Sequence, residues 1–148
     1  MNRYNTEEEN KAFLTSLPKK SIAVKAVIWS TENHILLVKP TIKAQWQLPG
    51  GGIMPHEEPI DALVREIKEE LALSLPKESL RIVGTAFRAE YDNLLLIYEY
   101  TATIPEDTQF HIQASEIEKY QFVPPSTLGE HISTYYQPFL TVYLKERA

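Results

Sequence analysis

The amino-acid sequence predicts an α/β (α+β) domain in which helices pack on a mixed central sheet. Two observations support this fold class. Short runs of β-branched and aliphatic residues alternate with stretches that have helical spacing. The order along the chain is strands, helix, strands, helix, which is typical of helices layered on a mixed or largely antiparallel sheet. The length of 148 residues is that of one domain, so we expect a single unit over residues 1–148.

The N-terminal part of the chain contains a helix-like segment followed by a predicted hairpin. Within an N-terminal arm of residues 1–20, residues 7–16 are expected to form a short helix or an ordered arm. Residues 22–29 are almost entirely apolar and rich in β-branched side chains, so they predict a buried strand. The turn-like residues 31–34 then lead to a second strand at 35–39, and the two strands are expected to pair as a hairpin.

A glycine run and a helix occupy the middle of the chain. Residues 46–48 predict a short strand that leads through Pro49 into residues 50–52, which are three of the five glycines in the protein. Glycine is needed where the backbone has a positive φ or passes close to a ligand. A helix is predicted over residues 59–73, because Pro59 suits a first helical turn and apolar residues follow at helical spacing.

The C-terminal half returns to strands before a final helix. Residues 80–88 and 94–103 have the composition and alternation of strands, and residues 91–93 form the predicted turn between them. A further short strand is expected at 117–123. Apolar side chains at helical spacing predict a last helix over residues 138–145.

The composition excludes several classes of function. Hydrophobic residues make up 43% and charged residues 24% of the chain, which are the values of ordinary globular proteins. Cysteine is absent from the sequence, so disulfides, thiolate metal sites and cysteine nucleophiles are excluded. A net charge of -5 at pH 7 argues against binding to a nucleic-acid polymer or to an anionic membrane. No stretch has the features of a signal peptide or a spanning helix, so a cytoplasmic location is the default expectation.

Three glutamates in the predicted helix are candidate metal ligands. On a helical wheel Glu66, Glu69 and Glu70 share one stripe, and the apolar residues that include Leu63 and Ile67 share another. Neighbouring carboxylates repel each other, and the negative end of the helix dipole adds to that cost unless a cation binds them. Oxygen ligands without histidine or cysteine favour a hard cation such as Mg²⁺, Mn²⁺ or Ca²⁺. The alternative interpretation is an acidic helix face in contact with water.

The segment from Gly51 to Leu73, called here the box, resembles the signature of the Nudix hydrolases. The matching positions, in order, are Gly51, Glu57, Arg65, Glu66, Ile67, Glu69, Glu70, Leu71 and Leu73 in this sequence. The one departure is Ala72, where the family has glycine, and an alanine there would let the helix continue towards Pro76. The resemblance implies an α/β/α sandwich with a mixed central sheet and a box loop-helix, covering about residues 20–145.

The resemblance also implies roles for individual residues. Glu66, Glu69 and Glu70 would hold Mg²⁺, for which Mn²⁺ can substitute, and a carbonyl of Gly50 or Gly51 would complete the ligand set. Arg65 and Glu57 would orient these glutamates through hydrogen bonds. One glutamate, or the metal itself, would activate the attacking water. A further catalytic carboxylate is expected from a loop after the box, where Glu116 is preferred over Glu118.

The sequence gives weaker indications about substrate contacts. Lys39, Lys43 and Arg88 could contact phosphates, and Trp46 and Tyr91 could stack on a base or a ribose. The alternatives are an ordinary surface position for each basic residue and a core position for each aromatic one.

Cleavage of a pyrophosphate bond in a nucleoside diphosphate linked to another group is the reaction that the resemblance implies. A nucleoside triphosphate is the first-ranked substrate. Dinucleoside polyphosphates rank second, and ADP-sugars rank third because the proline of ADP-ribose hydrolases is missing between Pro76 and Pro105. A nucleotide-sensing module without turnover is the alternative from another class, and the absence of cysteine argues against a prenyl diphosphate isomerase. The sequence leaves a homodimer open.

Overall fold

The computed structural model describes residues 6–18 and 20–147, so residues 1–5 and 19 of the predicted N-terminal arm lie outside the described part. The helices and strands of that part are α1 (Glu7–Ser16), β1 (Ser21–Ser30), β2 (Ile35–Pro40), β3 (Gly50–Gly52), α2 (Pro59–Leu71), β4 (Leu80–Arg88), β5 (Asn93–Ile104), β6 (Ile117–Val123), α3 (Pro125–His131) and α4 (Gln137–Arg147). Three 3₁₀ turns cover Lys77–Ser79, Ala89–Tyr91 and Thr134–Tyr136. The predicted α/β fold class is confirmed.

The six strands of the described residues form one mixed sheet, in which five have the order β4-β5-β1-β2-β6 and β3 pairs with β1 outside this order. The central strand β1 pairs with β5 in parallel, and every other pairing between named strands is antiparallel. Along its other edge β1 pairs first with the short strand β3 and then, beyond a divergence, with β2. In the space between β2 and β3, helix α2 and the loop after β2 lie close to the start of β1.

Both faces of the sheet are covered by helices, as the sandwich expectation requires. Side chains of β1 alternate between the faces, because successive residues of a strand point in opposite directions. Val27 and Trp29 pack in a core with α4 and the turn before it, whereas Val24 and Ile28 pack in a second core with α2. Helix α1 contributes no buried residue.

The strand predicted at residues 46–48 is displaced in the structure. Trp46 and Gln47 form only isolated bridges, with Ile132 and Val38 respectively, and the strand itself is made by the glycines of β3. Gly50 explains the difference, because its φ is 139° and a Cβ there would lie 2.0 Å from the Val24 carbonyl oxygen. The absence of side chains lets this segment approach β1 closely enough to pair with it.

The end of α2 corrects the expectation drawn from Ala72. The helix stops at Leu71, and Ala72 adopts the left-handed conformation with φ 56° and ψ 30°, donating its N–H to the Lys68 carbonyl. Leu71 and Leu75 are both buried, so the chain turns sharply between them to place both in the core. The short helix α3 was not among the sequence predictions.

Candidate active site

A cavity of about 450 Å³ opens beside the first half of β1. The glycines of β3 line it, together with the end of β2 and the loop that follows, and the loop before β6 closes one side. Glu70 reaches it from α2, and Arg88 and Asn93 reach it from the β4–β5 connection. The cavity therefore collects polar groups from both halves of the chain.

Glu70 is the most buried of the three predicted metal ligands. Its side chain accepts a hydrogen bond of 2.7 Å from the backbone N–H of Gly50. Burial raises the pKa of Glu70 to about 7, the charges of Glu66 and Glu116 add to the rise, and Lys25 and the Gly50 N–H oppose it. The wheel placed Glu70 on the same stripe as Glu66 and Glu69, but the structure turns it towards the sheet and the cavity.

Arg65 forms hydrogen bonds with three other carboxylates of this segment, Glu57, Glu66 and Glu69. Its guanidinium forms a two-pronged ion pair with Glu57, with both N···O distances at 2.9 Å, and reaches Glu66 at 2.9 Å and Glu69 at 3.3 Å. These hydrogen bonds from Arg65, with a further one from the Met54 N–H, lower the pKa of Glu57 to about 2. The pKa of Glu66 is raised because burial outweighs the effect of Arg65. Glu69 is about half exposed.

Gly51 makes room for one of these carboxylates. A Cβ built on Gly51 would lie 2.4 Å from an oxygen of Glu66. Gly51 is therefore required for a steric reason, whereas Gly50 also has a positive φ. Gly51 allows the Glu66 carboxylate to lie directly against the β3 backbone.

The loop before β6 brings Glu116 to the cavity. Its Gln113 N–H donates to the Glu70 carbonyl at 3.0 Å, and Thr41 N–H donates to the Glu116 carbonyl at 3.0 Å. Glu116 lines the cavity, and its charge acts on both Glu66 and Glu70. The structure separates the two candidates of the sequence analysis, because Glu118 instead pairs with Lys39 at 2.6 Å.

The predicted substrate contacts fall into two groups. Lys43 and Arg88 line the cavity, and Tyr91 lines a smaller neighbouring cavity of about 290 Å³. Lys39 is tied to Glu118, and neither it nor Trp46 is among the residues that line the first cavity. Trp46 packs against the core instead.

Sequence reasoning missed Lys25, which lies in the middle of β1 and lines the cavity. Its ammonium group is 3.4 Å from the Gly50 carbonyl oxygen. Burial lowers the pKa of Lys25 to about 8; Arg88 and Lys43 add to the fall, and Glu70 opposes it. One charged residue within an otherwise apolar strand was the signal that could have identified it.

The carboxylates of α2 and of the loop before β6 fit a hard divalent cation. The side chains of Glu66, Glu69, Glu70 and Glu116 offer only oxygen, and the pKa of Glu66 and that of Glu70 are raised by burial and by the neighbouring carboxylates. A cation would relieve that repulsion. The buried Glu70 has only a neutral backbone amide as its direct hydrogen-bond donor, which leaves acceptor capacity free for a metal.

A second acidic group lies at the far end of β1. Among the residues that the structure describes, Glu32, His34 and Glu106 are the one set of three whose donor atoms all lie within 4.8 Å of one another. His34 Nδ1 is 2.6 Å from Glu106, and Ser30 Oγ donates to the same oxygen at 2.8 Å. These contacts brace the β1–β2 hairpin turn, and the sequence analysis treated this segment only as a turn.

Comparison with known proteins agrees with the geometry. The family model for the NUDIX domain matches residues 19–140. An RNA pyrophosphohydrolase of Ruthia magnifica subsp. Calyptogena magnifica is 42% identical over 57 residues, covering 38% of this chain and 32% of that protein. A human diphosphoinositol polyphosphate phosphohydrolase, NUDT4B, is 37% identical over 90 residues, covering 60% of this chain and 48% of that protein. The matches thus span less than half the length of either relative.

The fold has close counterparts among solved structures. The crystal structure of a MutT protein from Methanosarcina mazei Go1 superimposes with a TM-score of 0.75 at 20% identity, covering 89% of this chain and 99% of the other. At this identity the likeness concerns the fold alone. Within the described residues, no helix combines the length and the apolar character needed to cross a membrane.

Proposed function

The chain belongs to the NUDIX family, and we propose that it hydrolyses a phosphoanhydride bond in a nucleoside diphosphate linked to another group, with a nucleoside triphosphate as the first-ranked substrate. One observation carries the proposal. Glu66, Glu70 and Glu116 repel one another beside a cavity whose other polar groups include Lys25, Lys43 and Arg88. Carboxylates for a cation next to basic groups for phosphates are the combination that hydrolysis of a diphosphate needs.

The names of the two curated relatives support the reaction class. Both describe hydrolysis at phosphate groups, one on RNA and the other on a diphosphoinositol polyphosphate. Because the two substrates differ, the names do not select one for this chain. A small nucleotide rather than a nucleic-acid polymer remains the proposal, and a single domain, a cytoplasmic location and a homodimer remain predictions.

The family generally uses divalent metal ions, and we propose Mg²⁺, with Mn²⁺ as a substitute, held by Glu66, Glu69 and Glu70 with the Gly50 carbonyl. Bound there, the ion would neutralise charge on the diphosphate and lower the barrier to attack by water. Arg65 and Glu57 act as positioning residues, because their paired hydrogen bonds hold Glu66 and Glu69 in fixed directions.

Proton transfer from the attacking water needs a base near the carboxylate cluster. Glu69 and Glu116 are the more exposed members of that cluster, and burial raises the pKa of Glu66. We assign the water-activating role to this set. Lys43 and Arg88 line the same cavity and would contact a phosphate group of the substrate.

The first test is phosphate release from a nucleotide panel, with and without Mg²⁺. The Glu69→Gln variant should lose about two to three orders of magnitude in kcat while melting at the wild-type temperature, because Glu69 is about half exposed. Glu78→Gln, in an exposed 3₁₀ turn, is the matched control with the same charge change. A folded protein that turns over no member of the panel, or equal rates in both variants, contradicts the proposal.

A further inference from the structure

Lys25, Lys43 and Arg88, called here the cation set, line the same cavity as Glu70 and Glu116. They come from β1, from the loop after β2 and from the end of β4, so three parts of the chain bring positive charge to one place. None of the three forms an ion pair within 4.0 Å with a carboxylate of residues 6–18 or 20–147. Cations without a direct ion-pair partner still repel one another, and a negative ligand between Lys43 and Arg88 would relieve that repulsion.

The repulsion is visible at Lys43. Its pKa is lowered first by burial and next by the charge of Arg88. Glu90 opposes the fall but ranks below Arg88 among the causes. Glu90 therefore offsets part of the repulsion between Lys43 and Arg88.

Arg88 is held rigidly by partners that leave its charge intact. The guanidinium carbon lies 4.8 Å from the ring centre of Tyr91 and 5.5 Å from that of Tyr135. One terminal nitrogen donates to the side-chain oxygen of Asn93 at 3.2 Å. All three partners are neutral, so they fix the direction of the guanidinium without cancelling its charge. The buried Nε of Arg88 has no hydrogen-bond partner among the described residues, and an anionic oxygen would satisfy it.

The cation set stands between two cavities. The smaller one, of about 290 Å³, shares Lys43, Gln47 and Arg88 with the larger one and is lined further by Tyr91 and Tyr135. The larger cavity is lined by Glu70, whereas the smaller one is lined by Glu90 and by none of the proposed metal ligands. An anionic group in the smaller cavity would therefore meet cations with no metal ligand beside it.

We propose that the protein selects substrates whose phosphate chain has three or more groups, with the group beyond the cleaved diphosphate bound between Lys43 and Arg88 at the mouth of the smaller cavity. The position of the cleaved bond rests on the proposed function. The binding of the additional phosphate does not, because it requires the cation set alone and can be measured without hydrolysis.

The test is calorimetric titration of the metal-free protein, in EDTA, with inorganic tripolyphosphate and with pyrophosphate. The wild type should bind tripolyphosphate at least about tenfold more tightly than pyrophosphate. Lys43→Gln and Arg88→Gln should each weaken tripolyphosphate binding by at least about tenfold, the size expected for losing one charge-assisted hydrogen bond. Both should leave pyrophosphate binding within about threefold.

Lys145→Gln, an exposed residue of α4, is the matched control and should bind both anions as the wild type does. Melting temperatures identify variants that fail to fold, and Lys43→Gln, located in a loop, serves if Arg88→Gln does not fold. Equal affinity of the wild type for the two anions, no binding of tripolyphosphate, or an unchanged affinity in both variants would overturn the proposal. Each of these results could coexist with full hydrolytic activity, so they are distinguishable from failure of the proposed function.

A nucleoside triphosphate in the same titration separates two sources of the phosphate chain. Binding tighter than that of tripolyphosphate assigns the chain to a nucleotide, and weaker binding assigns it to a nucleotide-free polyphosphate. Loss of affinity in Arg88→Gln for both ligands supports the same subsite in either case. Loss for neither contradicts it.

Discussion

Glu70 and Glu99 are both buried glutamates with 4% of their surface exposed, yet they have opposite surroundings. Glu99 lies in β5 and accepts hydrogen bonds from the Tyr143 hydroxyl and from Arg147 at 2.9 Å, with Arg81 at 3.5 Å. Glu70 has one hydrogen bond, from a backbone amide, and its charged neighbours are Lys25 and two other carboxylates. Burial is the same at both positions, so the difference lies in how completely each carboxylate is partnered.

This contrast separates a structural charge from a ligand-binding one. A buried charge whose partners are all supplied by the protein is stable as it stands. A buried carboxylate that keeps free acceptor capacity and like-charged neighbours is stable only with a proton or a metal. The following predictions test whether the distinction holds.

The largest expected effect is on catalysis. Glu70→Gln should reduce kcat with Mg²⁺ by about two to three orders of magnitude, because it removes a buried anionic metal ligand. Glu99→Gln should keep kcat within about threefold of the wild type, since Glu99 lies away from the cavity in a polar cluster with Tyr143 and Arg147. Steady-state kinetics at saturating substrate measures both. A large loss of kcat in folded Glu99→Gln would break the contrast.

The next effect is on the pH dependence of stability without metal. The folded protein holds the pKa of Glu70 at about 7, above the ordinary 4.5 of the unfolded chain. Between these values the unfolded chain releases its proton first, so this group lowers the free energy of unfolding as pH rises from 4.5 to 7. Glu70→Gln has no titrating group at this position. Its free energy of unfolding, relative to that of the wild type, should therefore rise as the pH increases from 4.5 to 7.

The gain should remain below the roughly 3 kcal/mol that the pKa difference represents, because Lys25 loses an attractive neighbour in the variant. Urea denaturation in EDTA at pH 5 and pH 8 measures it. Adding Mg²⁺ at pH 8 should stabilise the wild type more than the variant. A stability difference that does not change with pH would show that Glu70 is already balanced, as Glu99 is.

A moderate effect is expected on the stability of the Glu99 cluster. Glu99→Gln should lower the free energy of unfolding by about 1–3 kcal/mol at neutral pH, because a charged acceptor is lost where Tyr143 and Arg147 donate. Arg81 contributes little to this figure because its side chain is 66% exposed. Chemical denaturation with Glu78→Gln as the control gives the value. A gain of stability would contradict a structural role.

The smallest effect concerns the end of the helix that carries Glu70. Ala72→Gly should raise the free energy of unfolding by about 0.5–1 kcal/mol, since glycine adopts the left-handed conformation without the strain of a Cβ. Activity should stay within about twofold. A larger change in kcat would show that strain at Ala72, and not only the partners of Glu70, sets the position of the carboxylate.

Local patterns predicted the box helix and much of the site that it carries. Helical spacing placed Glu66, Glu69 and Glu70 close together, and the resemblance placed Arg65 and Glu57 around them. The different environments of the three glutamates were not predictable from a wheel. They depend on β3, which approaches α2 from outside the helix and donates the Gly50 N–H to Glu70 alone.

What the sequence missed depends on contacts between distant segments. Lys25 stands out as the one charged residue of residues 22–29, but its place in the cavity follows only from the meeting of β1 with α2 and the β4–β5 connection. Lys39, suggested as a phosphate contact, pairs with Glu118 on the neighbouring strand. The predicted end of α2 was wrong because the burial of Leu75 outweighs the conformational preference of Ala72.

Lys25 also has a consequence for how the chain folds. Its neighbours Val24 and Ala26 are fully buried on the opposite face of β1. A slip of β1 by one residue against β5 would exchange the two faces and drive the ammonium group into an apolar layer. The desolvation of that charge would penalise the misaligned sheet far more than an alanine at this position would. Lys25 therefore disfavours a misaligned central strand, and this effect does not depend on a ligand.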